Sequence, residues 1–235
     1  MTRDSAPPTA GRPRLSGEAT GSPRQDIIRE ATALFVAKGY AETTMSEIAR
    51  SAGLRQSSLY YWFARKELIL QTLLEDNRTS LALAAVLEAQ PGPVAPRLYA
   101  VLHADVLQLC RAPLDFYEFE RVARQQPQNF GAFFDDYTEL LRLTESLVRQ
   151  GVAAGEFDGV DPADTATAAL GLNEGLQRHY RQPLPGVRSY TADQVCRLSA
   201  DTTLTRLLVH REAIESVRDA AGELTASWTA TATGS

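Results

Sequence analysis

No stretch of this chain is apolar for long enough to cross a bilayer. The run TSLALAAVL, starting at Thr79, falls well short of the roughly 18 residues a spanning helix needs. The N-terminal residues carry charges but no apolar core, so they do not read as a secretory signal, and a cytoplasmic protein without a membrane partner is expected. Cysteine is scarce: Cys110 and Cys196 stand far apart, and two reduced, buried thiols are the simplest reading. The three histidines, His103, His179 and His210, are isolated and lack metal-ligand spacing, so no metal is expected. There is no Glu-x-x-His pair, nucleophile elbow, phosphate loop or Cys/His cluster, which argues against an enzyme and leaves no cofactor to bind. No period-two strand pattern and no internal repeat is visible. The fold class is all-α.

What is present is an uneven distribution of charge and a dense motif. The 235 residues carry a net charge of −5, an unpromising value for a nucleic-acid binder. Residues 1–66, however, hold 10 Lys/Arg against 6 Asp/Glu, net +4, whereas the remainder holds 14 against 23, net −9. A basic end and an acidic body suit a protein that offers one end to DNA.

The motif lies in GYAETTMSEIARSAGLRQSSLYYWFARKELI, from Gly39. Thr44 and Glu47 form a capping box, with two orphan backbone donors satisfied reciprocally. Ile48 and the small Ala49 face inward. Gly53 falls where the first helix must end, and Leu54 plugs the turn. Leu59 and Phe63, four apart, put an apolar edge of the second helix on the core. Its other face carries Arg55, Gln56, Ser57, Ser58, Tyr60, Tyr61 and Trp62, side chains that reach base edges and phosphate oxygens. A helix turns about 100° per residue, so the four aromatics from Tyr60 to Phe63 cannot all face one core. Arg65 and Lys66 open the next helix, where free N–H groups favour a phosphate. Upstream, Ser22-Pro23-Arg24-Gln25 reads as a second capping box. Ile27, Ile28, Ala31, Leu34 and Phe35 make a helical stripe that Gly39 closes.

On these residues the chain resembles the TetR family of transcriptional regulators. The run from Ile27 to Leu70 is similar without a gap to that family's three-helix DNA-binding domain, with the motif at about 44–63. The resemblance implies that Gln56 and Ser57 read bases, with Arg55 as a third. It implies that Ser58, Tyr60, Tyr61, Trp62 and Lys66 hold phosphates, helped by Thr44 and Ser46. The family often has serine at the position of Arg55, and serine or asparagine at that of Arg65; both departures lose a cap and add a cation. Beyond about residue 75 the family shares architecture but little sequence.

The expected organisation is a disordered, mildly basic arm over 1–21, a DNA-binding domain over 22–68, a helical ligand-binding and dimerisation domain over 69–216, and a flexible tail over 217–235. Helices are expected at 67–90, 96–111, 114–126, 128–150, 163–181 and 191–216, with Pro91-Gly92-Pro93, Pro113 and Pro127 as breaks. Aromatics crowd residues 116–137. A cavity there is what the resemblance implies, and the candidate ligand contacts are Phe116, Tyr117, Arg121, Phe134, Tyr137, Asn173 and Gln177, with Arg121, Arg124 or Asn173 holding the polar end. Ordinary core packing would explain each aromatic as well. On 163–181 the residues Ala166, Ala169, Leu170, Asn173, Leu176, Gln177 and Tyr180 share a face. With Val195, Leu198, Thr202, Leu204, Leu208 and Val209 they suggest a homodimeric four-helix bundle, the arrangement usual in the family. The implied function is a ligand-responsive repressor released from palindromic double-stranded DNA by a small molecule. The alternative is a DNA-binding regulator or architectural factor without a ligand.

Overall fold

The computed structural model describes residues 22–75, 78–112 and 114–233, so the basic arm over 1–21 lies outside the described residues. The chain divides between Leu73 and Leu74 into two units. Among the described residues all regular elements are helical, and no helix is long and apolar enough to cross a membrane.

The N-terminal unit is built from α1 (Pro23–Lys38), α2 (Met45–Ser51), α3 (Gln56–Trp62) and the start of α4 (Lys66–Glu75). Apolar residues one turn apart on α1, Ile27, Ala31 and Phe35, are buried, as are Ile48 and Leu59 of α2 and α3, and α1 packs on α2. The expected box at Ser22 does not form. Ser22 is the N-cap, but its side chain makes no cap bond. Pro23 follows it without an N–H, and the first-turn acid of α1, Asp26, pairs instead with Arg29 at 2.9 Å.

The C-terminal unit comprises α5 (Thr79–Glu88), α6 (Val94–Arg111), α7 (Phe116–Gln125), α8 (Pro127–Ala153), α9 (Pro162–Arg181), α10 (Ala192–Leu207), a 3-10 turn (Arg211–Ala213) and α11 (Ile214–Thr233). Helix α6 is the hub, packed against α5, α8, α9, α10 and α11. Its residues from Val94 to Leu102 are all buried, so a helix that reads as amphipathic is enclosed on every side over two turns.

Two loops tie this bundle together. The Arg97 guanidinium is buried and donates to the carbonyls of Leu87 at 2.9 Å and Pro93 at 3.1 Å, and to Gln150 Oε1 at 3.1 Å. It thereby satisfies the end of α5 across the Gly92 turn. The Glu156 carboxylate accepts from Val94 N at 2.8 Å and Ala95 N at 2.8 Å, capping α6 from 61 and 62 residues away in sequence. The next residue, Phe157, is 3% exposed and pairs with Leu208 in a single β-bridge.

Three expectations fail here. The helix foreseen over 67–90 is two, α4 and α5. The helix foreseen over 191–216 stops at Leu207, because Leu208 turns extended to pair with Phe157 and Val209 N donates to Glu156 O at 3.0 Å. The flexible tail foreseen over 217–235 is instead helical through Thr233. Val217 and Ala221 of α11 are buried in the central cluster, so packing on α6 holds the segment in place. Cys110 and Cys196 are buried and free, and they share one apolar cluster. Burial pushes their thiols up to about 11 and about 12, away from thiolate reactivity.

A Cβ added to Gly151 would stand 2.2 Å from two ring carbons of Phe157, a buried side chain with no room to retreat. Gly151→Ala should therefore destabilise the fold by about 1–3 kcal/mol, read as a lower denaturant midpoint. An unchanged midpoint would show that the Phe157 ring yields freely.

Candidate DNA-binding face and effector site

The recognition face is fixed by the local chemistry of α2 and α3. Thr44 N donates to Glu47 Oε2 at 2.9 Å, and Glu47 N donates to Thr44 Oγ1 at 3.3 Å, the expected capping box. Lys38 Nζ stands 2.6 Å from the same carboxylate, which locks the end of α1 to the start of α2. Gly53 takes φ 65°, a left-handed conformation that costs glycine little, and Leu54 N closes the turn on Ala49 O at 2.8 Å.

Helix α3 then presents two unlike faces. Leu59 and the following Phe63 are 0% and 3% exposed, whereas Tyr60, Tyr61 and Trp62 are 45%, 82% and 41% exposed. Arg55, Gln56, Ser57 and Ser58 are exposed as well, as are Thr44 and Ser46 at the start of α2. Tyr61 and Trp62 pack edge to face at 5.4 Å, so neither ring is spent on the core. Arg55 is the N-cap of α3 and makes no side-chain cap bond, leaving its guanidinium on the open face.

Lys66 departs from the rest. It is half-buried, and its ammonium donates to the carbonyls of Tyr40 at 2.6 Å, Thr43 at 2.7 Å and Ala41 at 3.3 Å. It also stands 4.2 Å from the centre of the Tyr40 ring. Desolvation is the main cause of a lowered pKa. An ammonium has three N–H donors, and these three carbonyls match them. The geometry thus makes Lys66 a staple for the loop leading into α2 rather than a free phosphate ligand.

The second site lies within the C-terminal unit. Rings from α7 and α8 form a continuous cluster: Phe116 lies 6.0 Å from Phe133, 5.9 Å from Tyr137 and 5.7 Å from Tyr117. Among the described residues, Phe134 joins the cluster through Phe133, at 5.3 Å. The expected cations are not there. Arg121 is exposed, and Arg124 pairs with Glu120 at 2.7 Å on the surface. In their place stand two acids. The Glu174 carboxylate of α9 accepts from the Tyr137 hydroxyl at 2.8 Å. Asp105 of α6, 5% exposed, accepts from Asn173 Nδ2 at 2.8 Å. Asn173 Oδ1 in turn accepts from the Ser199 hydroxyl of α10. Burial raises the pKa of both Asp105 and Glu174, and each is the first cause; for Glu174 the charges of Asp105 and Glu120 add to it. One turn beyond Asn173, Gln177 is 0% exposed and neither atom of its amide has a partner. An isolated Asp105 within the apolar run of α6 was the available sequence signal.

The same burial corrects the proposed dimer face. Ala166, Ala169, Leu170, Asn173 and Gln177 of α9, with Val195 and Leu204 of α10, point into their own subunit. The outward edge carries Gly171 and Gly175, with open space around each, and Leu198, 36% exposed.

A capped helix, a glycine turn and a second helix with a polar, aromatic open face define a helix-turn-helix DNA-binding protein. The family model for bacterial regulatory proteins, tetR family, matches residues 27–73. The HTH-type transcriptional repressor KstR2 of Mycolicibacterium smegmatis is 34% identical over 140 residues, 58% of this chain and 68% of that protein. The structure of Mycobacterium smegmatis AmtR is 26% identical, covers 90% of this chain and 97% of its own, and superposes with a TM-score of 0.68. The structure of AibR with isovaleryl coenzyme A and operator DNA is alike in fold, at 20% identity, with 80% and 98% coverage and a TM-score of 0.58. The chain belongs to the tetR family of bacterial regulatory proteins. It is a transcriptional regulator and not an enzyme, in a family whose members are typically ligand-responsive.

Lys38 and Thr44 together hold the Glu47 carboxyl at about 2, well below its ordinary 4.5. A depressed carboxylate contributes stability that is complete above the ordinary value and is lost as pH falls toward the folded one. Glu47→Gln should remove that part of the acid sensitivity, so that wild type and variant converge in thermal midpoint between pH 4.5 and 2. A constant difference between them across this range would separate the box from the acid response.

Proposed function

We propose that this protein is a repressor that holds a palindromic operator as a homodimer and releases it when a small molecule enters the C-terminal unit. The observation that carries the DNA half is the division of α3, with Leu59 fully buried while Gln56 and Ser57 stand open on the opposite face. On this reading Gln56, Ser57 and Arg55 meet base edges. Ser58, Tyr60, Tyr61 and Trp62 hold the backbone, with Thr44 and Ser46 at the start of α2. Lys66 acts indirectly, by fixing the loop that places Thr44.

A homodimer supplies the second recognition helix that a palindromic site requires. The glycine edge of α9 and the outward side of α10 around Leu198 are the surfaces proposed to meet. For the effector half, the support is the partnerless Gln177 amide, one helical turn from the Asn173 that binds the buried Asp105, together with a row of half-buried rings. A purely architectural DNA binder has no use for buried polar groups left without partners, each of which costs about 1–3 kcal/mol. AibR, alike in fold, has been seen with an acyl-coenzyme A and operator DNA together. Release by a hundredfold requires the effector to favour the released state by about 2.7 kcal/mol, and operator must then weaken effector binding by the same factor.

Selection from a random duplex library supplies the operator for the tests. Gln56→Ala should cost about 1–3 kcal/mol on the selected site and relax discrimination at one base pair per half-site. Equal weakening on every sequence would remove Gln56 from base reading. Lys66→Met should lower affinity while leaving the slope of affinity against salt unchanged; a slope lower by about one phosphate per subunit would restore a direct contact. Light scattering at micromolar concentration should give twice the 25.7 kDa chain mass, and Leu198→Glu should reduce it to one chain. A wild-type mass of one chain would refute the dimer.

A further inference from the structure

We propose that the effector carries a positive charge: a protonated organic amine with an aromatic or similarly flat apolar body, held between Glu174, Gln177 and the rings of α7 and α8. This rests on reading the C-terminal unit as the effector site and adds the chemistry of its ligand. Glu174 is half-buried and Asp105 almost fully buried, yet among the described residues neither takes part in an ion pair. The charge of Asp105 is felt at Glu174, as is that of Glu120, which is itself paired with Arg124. Two enclosed acids without an ion pair are relieved only by protonation or by a cation.

The hydrogen bonds favour the cation. The Tyr137 hydroxyl points its donor at Glu174 Oε1, 2.8 Å away, which suits an ionised carboxylate. A phenol donor stabilises that charge but does not neutralise it. Around the acid the rings of Phe116, Tyr117, Phe133 and Tyr137 form a wall whose faces are negative by quadrupole, the usual surface for an ammonium. That wall already draws a cation. The exposed Arg178 guanidinium, one turn along α9 from Glu174, stands 5.5 Å from the centre of the Tyr117 ring.

The independent sign of a ligand is Gln177. It is fully enclosed, one turn from Asn173 on the same side of α9, and both its amide oxygen and its amide nitrogen lack a partner. Buried amides are satisfied in nearly all folded proteins. An ammonium N–H would satisfy the oxygen, and a hydroxyl or carbonyl elsewhere on the ligand would satisfy the nitrogen. An anionic effector would meet the two enclosed acids, Glu174 and Asp105, and among the described residues the cation at these rings is Arg178, which is exposed. A wholly apolar one would leave Gln177 unsatisfied.

Three probes of one size test the charge on the full chain by calorimetry: 2-phenylethylamine, 2-phenylethanol and phenylacetate. The amine is expected to bind at least about tenfold tighter than the alcohol, with the acid weakest. Glu174→Gln keeps an acceptor for Tyr137 and removes only the charge. It should abolish the preference for the amine and leave the alcohol within about twofold of wild type. Near-ultraviolet circular dichroism verifies that the variant is folded, and Glu139→Gln, in a surface pair with Arg142, should leave the preference intact. The proposal is overturned if the alcohol or the acid binds as well as the amine, if none of the three binds, or if Glu174→Gln retains the preference. Repeating the amine titration with selected operator present separates this from the regulatory reading. Equal affinity with and without DNA would end the effector role while leaving the cation site standing.

Discussion

The loop between α8 and α9 is the constraint on which the C-terminal unit depends. A helix start leaves several N–H groups without partners, and α6 begins in the interior of the bundle, where water cannot supply them. Glu156 supplies them at 2.8 Å. The adjacent Phe157 fills the space over Gly151 and turns Leu208 extended, which ends α10 and starts the passage to α11. Three helix ends are thus set by two consecutive residues. Because α6 carries Asp105 and α9 carries Asn173, Glu174 and Gln177, the polar centre of the unit inherits its geometry from that loop.

The N-terminal unit solves the equivalent problem with cations. Lys38 and Lys66 hold opposite sides of the segment from Gly39 to Thr44, one through the Glu47 carboxylate and the other through three backbone carbonyls. The segment sets where α2 begins, and α2 sets the crossing of α3. Both lysines lie in the basic part of the chain, but their ammonium groups are committed to internal partners. The open face of α3 carries one cation, Arg55, among neutral hydrogen-bonding side chains. Net charge thus identifies the DNA-facing end without identifying the residues that touch it.

The two sites were unequally legible. Thr44, Glu47, Gly53, Leu59 and Phe63 act through partners three to four residues away, so spacing alone reveals them, and the family resemblance covers the same stretch. The proposed effector site draws on α6, α7, α8, α9 and α10, whose order along the chain says nothing about which side chains converge. Aromatic density pointed to a stretch whose rings do cluster. It did not show that Arg121 turns outward while Glu174 and Asp105 turn in, because that depends on the rotation of each helix about its axis.

By itself the sequence determined the all-α class, the motif at 44–63 and the placing of its open face, since these follow from helical periodicity, capping chemistry and a glycine that must take positive φ. Tertiary structure alone decided that Lys66 is a staple, that the small residues of α9 divide between core and outer edge, and that α11 is ordered. The physical reason is common to all three. A side chain's partners there come from elements distant in sequence, and burial against them outweighs what the local residues prefer.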